Sequence, residues 1–95
     1  MEIIVENVLV DGVKSHKPAF TMKGERLGKG WPDRIVFAPG GRLAFIELKR
    51  PGVGSEGLRP RQKVIGGMLR LLGFDVYCLW TVPQVEKWLS EFFGD

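Results

Sequence analysis

Two carboxylates and one amine stand where an apolar sequence should exclude them. Asp33 opens the run RIVFA, and Glu47 and Lys49 lie near the end of LAFIELKR, residues 43–50. Side chains alternate faces along a strand, so Glu47 and Lys49 share one face with Phe45, while Ala44, Ile46 and Leu48 share the other. A buried charge costs several kcal/mol unless it is paired or holds a metal. Two carboxylates held close repel unless one is protonated or a cation lies between them. Oxygen donors of this kind suit Mg²⁺ or Mn²⁺, which keep several waters and bind phosphate oxygens. Lys49, one strand repeat from Glu47, would place an ammonium beside such a cation. There it could orient a water nucleophile or neutralise charge on a pentacovalent phosphate.

That chemistry requires Asp33 and Glu47 to meet, and the chain between them supplies the means. DRIVFA and RLAFIELKR flank Pro39-Gly40-Gly41, a turn in which proline presets φ and the glycines supply positive φ. The two runs therefore read as a hairpin whose arms bring Asp33 and Glu47 opposite each other. Around the hairpin, residues 2–15 read as a helix, with Glu2 and Glu6 one turn apart on one face. AFTMK, residues 19–23, reads as a short strand, and GERLGKGWP as a loop. PGVGSEGL, from Pro51, reads as a second loop. A helix over 60–72 opens on Pro60 and closes before Gly73. Gly66 and Gly67 inside it cost roughly 1 kcal/mol each relative to alanine, which points to close packing on the sheet or on another chain. FDVYCLWT reads as a strand, and VPQVEKWLSEFF as a helix with Val85, Trp88, Leu89 and Phe92 on its apolar stripe. The expected fold is α/β, in the order α-β-β-β-α-β-α, with one central mixed sheet flanked by helices. Residues 1–95 are expected to form a single domain.

The charge distribution points to the partner. Of the fourteen Lys and Arg residues only Lys87 lies outside Lys14–Arg70, so thirteen fall in that stretch, against Glu25, Asp33, Glu47 and Glu56. Such a surface suits a polyanion, and phosphate backbones are the usual one. The composition, 44% hydrophobic and 26% charged, is that of a globular chain, and no stretch approaches the ~20 apolar residues of a membrane span. The N-terminus lacks the pattern of a secretion signal. The single cysteine, Cys78, leaves no intrachain disulfide and no cysteine metal cluster, which suits a reducing cytoplasm. His16, in a Ser-His-Lys-Pro segment without a ligand at metal-binding spacing, reads as a surface residue.

Taken in order, Pro32-Asp33 followed by Glu47-Leu48-Lys49 resembles the PD-(D/E)XK nuclease superfamily. More narrowly, the chain resembles the virus-type replication-repair nuclease (VRR-NUC) domains in their minimal stand-alone phage and bacterial form. That pattern is an acidic N-terminal helix, G-x-P-D, a hairpin, F-x-E-x-K-x-P-G, L-x-P-x-Q opening a helix, and a G-hydrophobic-x-V strand. Here it is met by Gly30-Trp31-Pro32-Asp33, by Phe45 to Gly52, by Leu58-Arg59-Pro60-Arg61-Gln62, and by Gly73-Phe74-Asp75-Val76.

The resemblance implies a restriction-endonuclease-like core and a set of roles. Asp33 and Glu47 would be metal ligands, with the Leu48 carbonyl completing the protein's share and Lys49 as the catalytic lysine. Gln62 would face the site from the second helix and orient Lys49 or the attacked phosphate. The helical acid, a further metal ligand, would be Glu2, by the family's leading register, or Glu6, by its offset from the first strand. Lys23 stands where the family often has a lysine. Arg26, Lys29, Arg50, Arg59, Arg61 and Lys63 form a DNA-backbone contact set, while Trp31 either stacks on an unpaired base or lids the core. The expected activity is Mg²⁺- or Mn²⁺-dependent endonucleolytic hydrolysis of DNA, with branched substrates such as Holliday junctions or flaps. One site per chain makes a homodimer the natural unit for cutting two strands. No membrane and no organic cofactor enter this reading, and the expected setting is the cytoplasm of a bacterial or phage-infected cell. The alternatives are a non-catalytic DNA-binding module, or a nuclease subunit of a larger phage replication, repair or restriction complex.

Overall fold

The computed structural model describes residues 3–48 and 60–94. Its elements follow the expected order: α1 (Ile3–Lys14), β1 (Phe20–Lys23), a 3-10 turn (Gly24–Leu27), β2 (Arg34–Ala38), β3 (Arg42–Leu48), α2 (Pro60–Leu71), β4 (Asp75–Leu79) and α3 (Val82–Phe93). The sheet runs β1-β2-β3-β4. The first three strands form an antiparallel meander, and β4 joins β3 in parallel, as a crossover through α2 requires. Gly40 and Gly41 take positive φ, 81° and 72°, in the β2–β3 turn, as the hairpin reading anticipated. Among the described residues no helix is long and apolar enough to cross a membrane.

Strand alternation divides the core in two. Val36, Ala44, Ile46 and Leu48 point to one face, where they pack on Val5, Leu9 and Val13 of α1 and on Val85, Trp88, Leu89 and Phe92 of α3. Ile35 and Phe45 point to the other face and meet Ile65 and Leu69 of α2. The molecule is thus three-layered, with two helices on one side of the sheet and one on the other. Contact between α1 and α3 is close. A Cβ built on Gly12 would lie 2.3 Å from Leu89 Cδ1, so any larger residue at that crossing would force the Leu89 side chain to move. His16 belongs to the same contact rather than to the open surface. Its ring stacks on Phe93 at 4.1 Å between centroids, and its Nδ1 lies 2.9 Å from the Gly12 carbonyl.

Two other expectations are corrected. The last strand stops at Leu79 rather than Thr81, because Thr81 is the cap of α3. The Gln84 amide donates to Thr81 Oγ1 at 3.3 Å, and Gln84 Oε1 accepts from the Thr81 and Trp80 amides at 3.1 and 2.8 Å, a reciprocal capping box. Gly66 is buried in α2, but among the described residues neither Gly66 nor Gly67 is crowded by the sheet. Among the described residues a Cβ on Gly66 would meet nothing nearer than Arg70 Nη1 at 3.8 Å, and one on Gly67 nothing within 4 Å.

Candidate active site

The hairpin register decides the centre of the site. Arg34 pairs with Ile46, so the next positions outward are Asp33 and Glu47, both on the α2 face with Ile35 and Phe45. Asp33 sits just before β2 and closes the ladder with its side chain, its Oδ2 accepting from the Leu48 amide at 2.7 Å. Glu47 is 3% exposed, a degree of burial rare for a carboxylate. Gln62, in the first turn of α2, reaches it with Nε2 at 3.5 Å from Oε1. The glutamine expected from the L-x-P-x-Q motif therefore stands beside one of the two acids. The residues present fit a hard divalent cation through their donor set, two carboxylates brought together at adjoining strand ends.

A cleft of about 440 Å³ opens at this end of the sheet. Asp33, Gln62, Lys23, Lys29, Trp31 and Arg61 line it, joined by Glu6 and Glu25. Its walls come from the ends of α1, β1 and α2 and from the loop that precedes β2. Two backbone features hold that loop. Gly24 donates to the Asp33 carbonyl at 3.0 Å, and a Cβ on Gly24 would fall 1.7 Å from the Pro32 oxygen. Gly30 takes φ of 86° and passes so near Arg61 that a Cβ would lie 2.6 Å from Arg61 Cγ. Trp31 tilts against Phe45 at 6.1 Å between centroids and lies half-buried on the second core cluster while lining the cleft.

Of the two helical acids, Glu6 is buried and lines the cleft. Glu2, Lys49, Arg50 and Arg59 lie outside the described residues. Arg26 and Lys63 are exposed and do not line the cleft. Two residues that sequence reasoning did not single out belong to the site region. Glu25, in the 3-10 turn, adds a carboxylate to the wall. Arg34 donates from Nε to Glu6 Oε2 at 2.9 Å, with side chains only 14% and 12% exposed. Strand alternation could have placed Arg34 on the buried α1 face, but not its partner 28 residues away.

Comparison with known proteins starts from this geometry. No protein-family model matches the sequence, and no curated protein does. A solved structure described as a VRR_NUC domain superposes over 96% of this chain and 96% of its own, with a TM-score of 0.81 and 22% sequence identity. The chain has the VRR_NUC fold. The likeness extends over almost the whole of both chains. The motif order that suggested a VRR-NUC domain and the strand order of the structure thus agree.

Proposed function

We propose that the chain is a divalent-metal-dependent DNA endonuclease that hydrolyses phosphodiester bonds at branched DNA, such as Holliday junctions or flaps, as a homodimer. The observation that carries this reading is the meeting of Asp33 and Glu47 at adjoining strand ends, beside a cleft to which Lys23, Lys29 and Arg61 contribute, in a chain with the VRR_NUC fold. Mg²⁺ or Mn²⁺ bound there would supply Lewis acidity and a more acidic water, with Asp33, Glu47 and the Leu48 carbonyl as the protein's donors.

The chain's own residues divide the remaining work. The Leu48 amide fixes one Asp33 oxygen and so orients the carboxylate. Gln62 holds Glu47 and stands at the cleft wall, within reach of an incoming phosphate oxygen. Lys49, two residues beyond Glu47, is the catalytic lysine of this reading, and Glu6 is its helical acid. Lys23, Lys29 and Arg61 present their charges along the cleft, where a phosphate backbone would displace counterions. The rim of Trp31 is available to a base unstacked at a branch point. Nothing in this set reads base edges, which favours recognition of DNA shape over sequence.

A second copy of the chain is supported by α2. Its outer side exposes Val64, Met68 and Leu71, with Leu72 just beyond, the last two at 91% and 69%. Gly67 lies among them with open space above it. A mass in solution about twice 10.7 kDa is expected, falling to the single-chain value in Leu71→Lys.

The test of the activity is cleavage of labelled duplex, flap and four-way-junction DNA with Mg²⁺, Mn²⁺ or EDTA. Cleavage is expected only with a divalent ion, most strongly on branched DNA, and reduced at least about 10³-fold by Lys49→Ala. Cleavage persisting in EDTA, or unaltered by the substitution, would refute the reading.

A further inference from the structure

The charges at the cleft do not balance in the way a set of three acids would suggest. Asp33 and Glu47 point to the α2 face of the sheet, whereas Arg34, one residue on from Asp33, points to the α1 face. There its guanidinium meets Glu6, Nε to Oε2 at 2.9 Å, with both side chains largely withdrawn from water. Arg34 also lies directly opposite Lys23 in the β1–β2 register. Two cations in facing positions repel, and the Glu6 carboxylate at Arg34 offsets part of that repulsion. An arginine is charged at any working pH. Removing one partner of a pair so placed leaves the other charge uncompensated. Glu6 is thus held by this chain itself before any ion arrives. A second observation agrees: among the described residues, no three acids come close enough to hold one metal ion together.

We infer that Arg34 is a positioning residue that neutralises Glu6 and thereby limits the site to one divalent cation, held by Asp33 and Glu47. This rests on the metal-dependent reading proposed above. With Arg34 in place, Glu6 already has its counter-charge, and Asp33 and Glu47 are the carboxylates left to an ion. Without it, Glu6 faces the cleft as a third anion, and a second ion becomes the way to relieve the repulsion. The other charged groups lining the cleft, Lys23, Lys29, Arg61 and Glu25, are solvent-exposed, where water and salt screen them. The Arg34 side chain is only 14% exposed, so its charge is less screened than theirs.

The readout is the number of Mn²⁺ ions bound per chain, from titration with MnCl₂ followed by electron paramagnetic resonance and calorimetry, with no DNA and no turnover. Four proteins are compared: wild type, Glu6→Gln, Arg34→Gln, and the double variant. One ion is expected on wild type, one on Glu6→Gln, two on Arg34→Gln, and one again on the double variant. A purely structural ion pair would alter the melting temperature in the single variants without altering the count. Two ions on the wild-type chain overturn the inference without any substitution. So does an unchanged count in Arg34→Gln, or a second ion that persists in the double variant, since that ion would not depend on Glu6. Should Arg34→Gln not fold, Arg34→Lys is the substitute. It keeps the charge and is expected to bind one ion, and a second ion there overturns the inference. No ion at all on wild type sinks the metal-dependent reading and this inference with it, a result distinct from two ions.

Discussion

The two faces of the sheet are built to different standards. On the α1/α3 face, Leu9, Val13, Val36, Ala44, Ile46 and Val85 are at 0% exposure, and the helices cross so closely that a Cβ at position 12 would displace the Leu89 side chain. On the α2 face the fully enclosed residues are few: Ile35, Phe45, Ile65 and Leu69. That face instead carries the two carboxylates and one wall of the cleft, and its helix contains two glycines with no neighbour crowding them. The difference shows a division of labour. One face supplies the apolar burial that holds the strands in register, at roughly 25 cal/mol per Å². The other gives up packing so that charges can approach one another at the strand ends.

Core truncations offer the harshest comparison of the faces. Leu9→Ala should cost about 3–5 kcal/mol, because tightly packed neighbours cannot relax into the cavity. Ile65→Ala should fall nearer about 2 kcal/mol, the lower end of the same range, since the thin α2 layer can settle. Urea unfolding of both variants measures the gap, and equal losses would remove the contrast. A smaller effect, about 1 kcal/mol of destabilisation, is expected for Thr81→Ala, which removes the cap that starts α3 on the well-packed side. Its measure is the urea midpoint at unchanged slope. The smallest effect has the opposite sign. Gly67→Ala should stabilise the isolated chain by about 0.5–1 kcal/mol, since the added methyl meets open space and alanine favours the helix. Unfolding followed at rising protein concentration separates this from association: a gain confined to dilute solution would place Gly67 in the contact between copies.

Much of this contrast could be read before the structure. Alternation along LAFIELKR separates Glu47 from Ile46 and Leu48, and the Pro-Gly-Gly turn fixes which residues of the two arms face each other. Local chemistry of this kind is written in neighbouring residues. The limits of α2 were likewise legible in Pro60 and Gly73. The capping box Thr81-Val82-Pro83-Gln84 was also present in the sequence, but the apolar run of β4 leads into it and hid the boundary. The Glu6–Arg34 pair was not legible at all. It depends on how α1 docks across the sheet, which is set by the packing of Leu9, Val13 and Leu89 rather than by anything adjacent to either charge. Glu25 was concealed for a similar reason, because a short 3-10 turn leaves no periodic signature.

The hydrogen bond from Gly24 to Asp33 has a consequence for how such a protein can change. It fastens the two ends of the loop 25–32 to each other across one peptide width, with Gly24 set directly against Pro32. The segment between those ends packs on the site through Trp31 on Phe45 and Gly30 against Arg61, while the clamp itself sits next to the carboxylate that follows. Lys29 and Trp31 ride on this segment, and the strand that follows Asp33 is held by its register with β3. The segment is an interchangeable cassette: a different loop could be spliced between Gly24 and Pro32 to alter which DNA shapes are gripped, while the hydrolytic centre stays where it is.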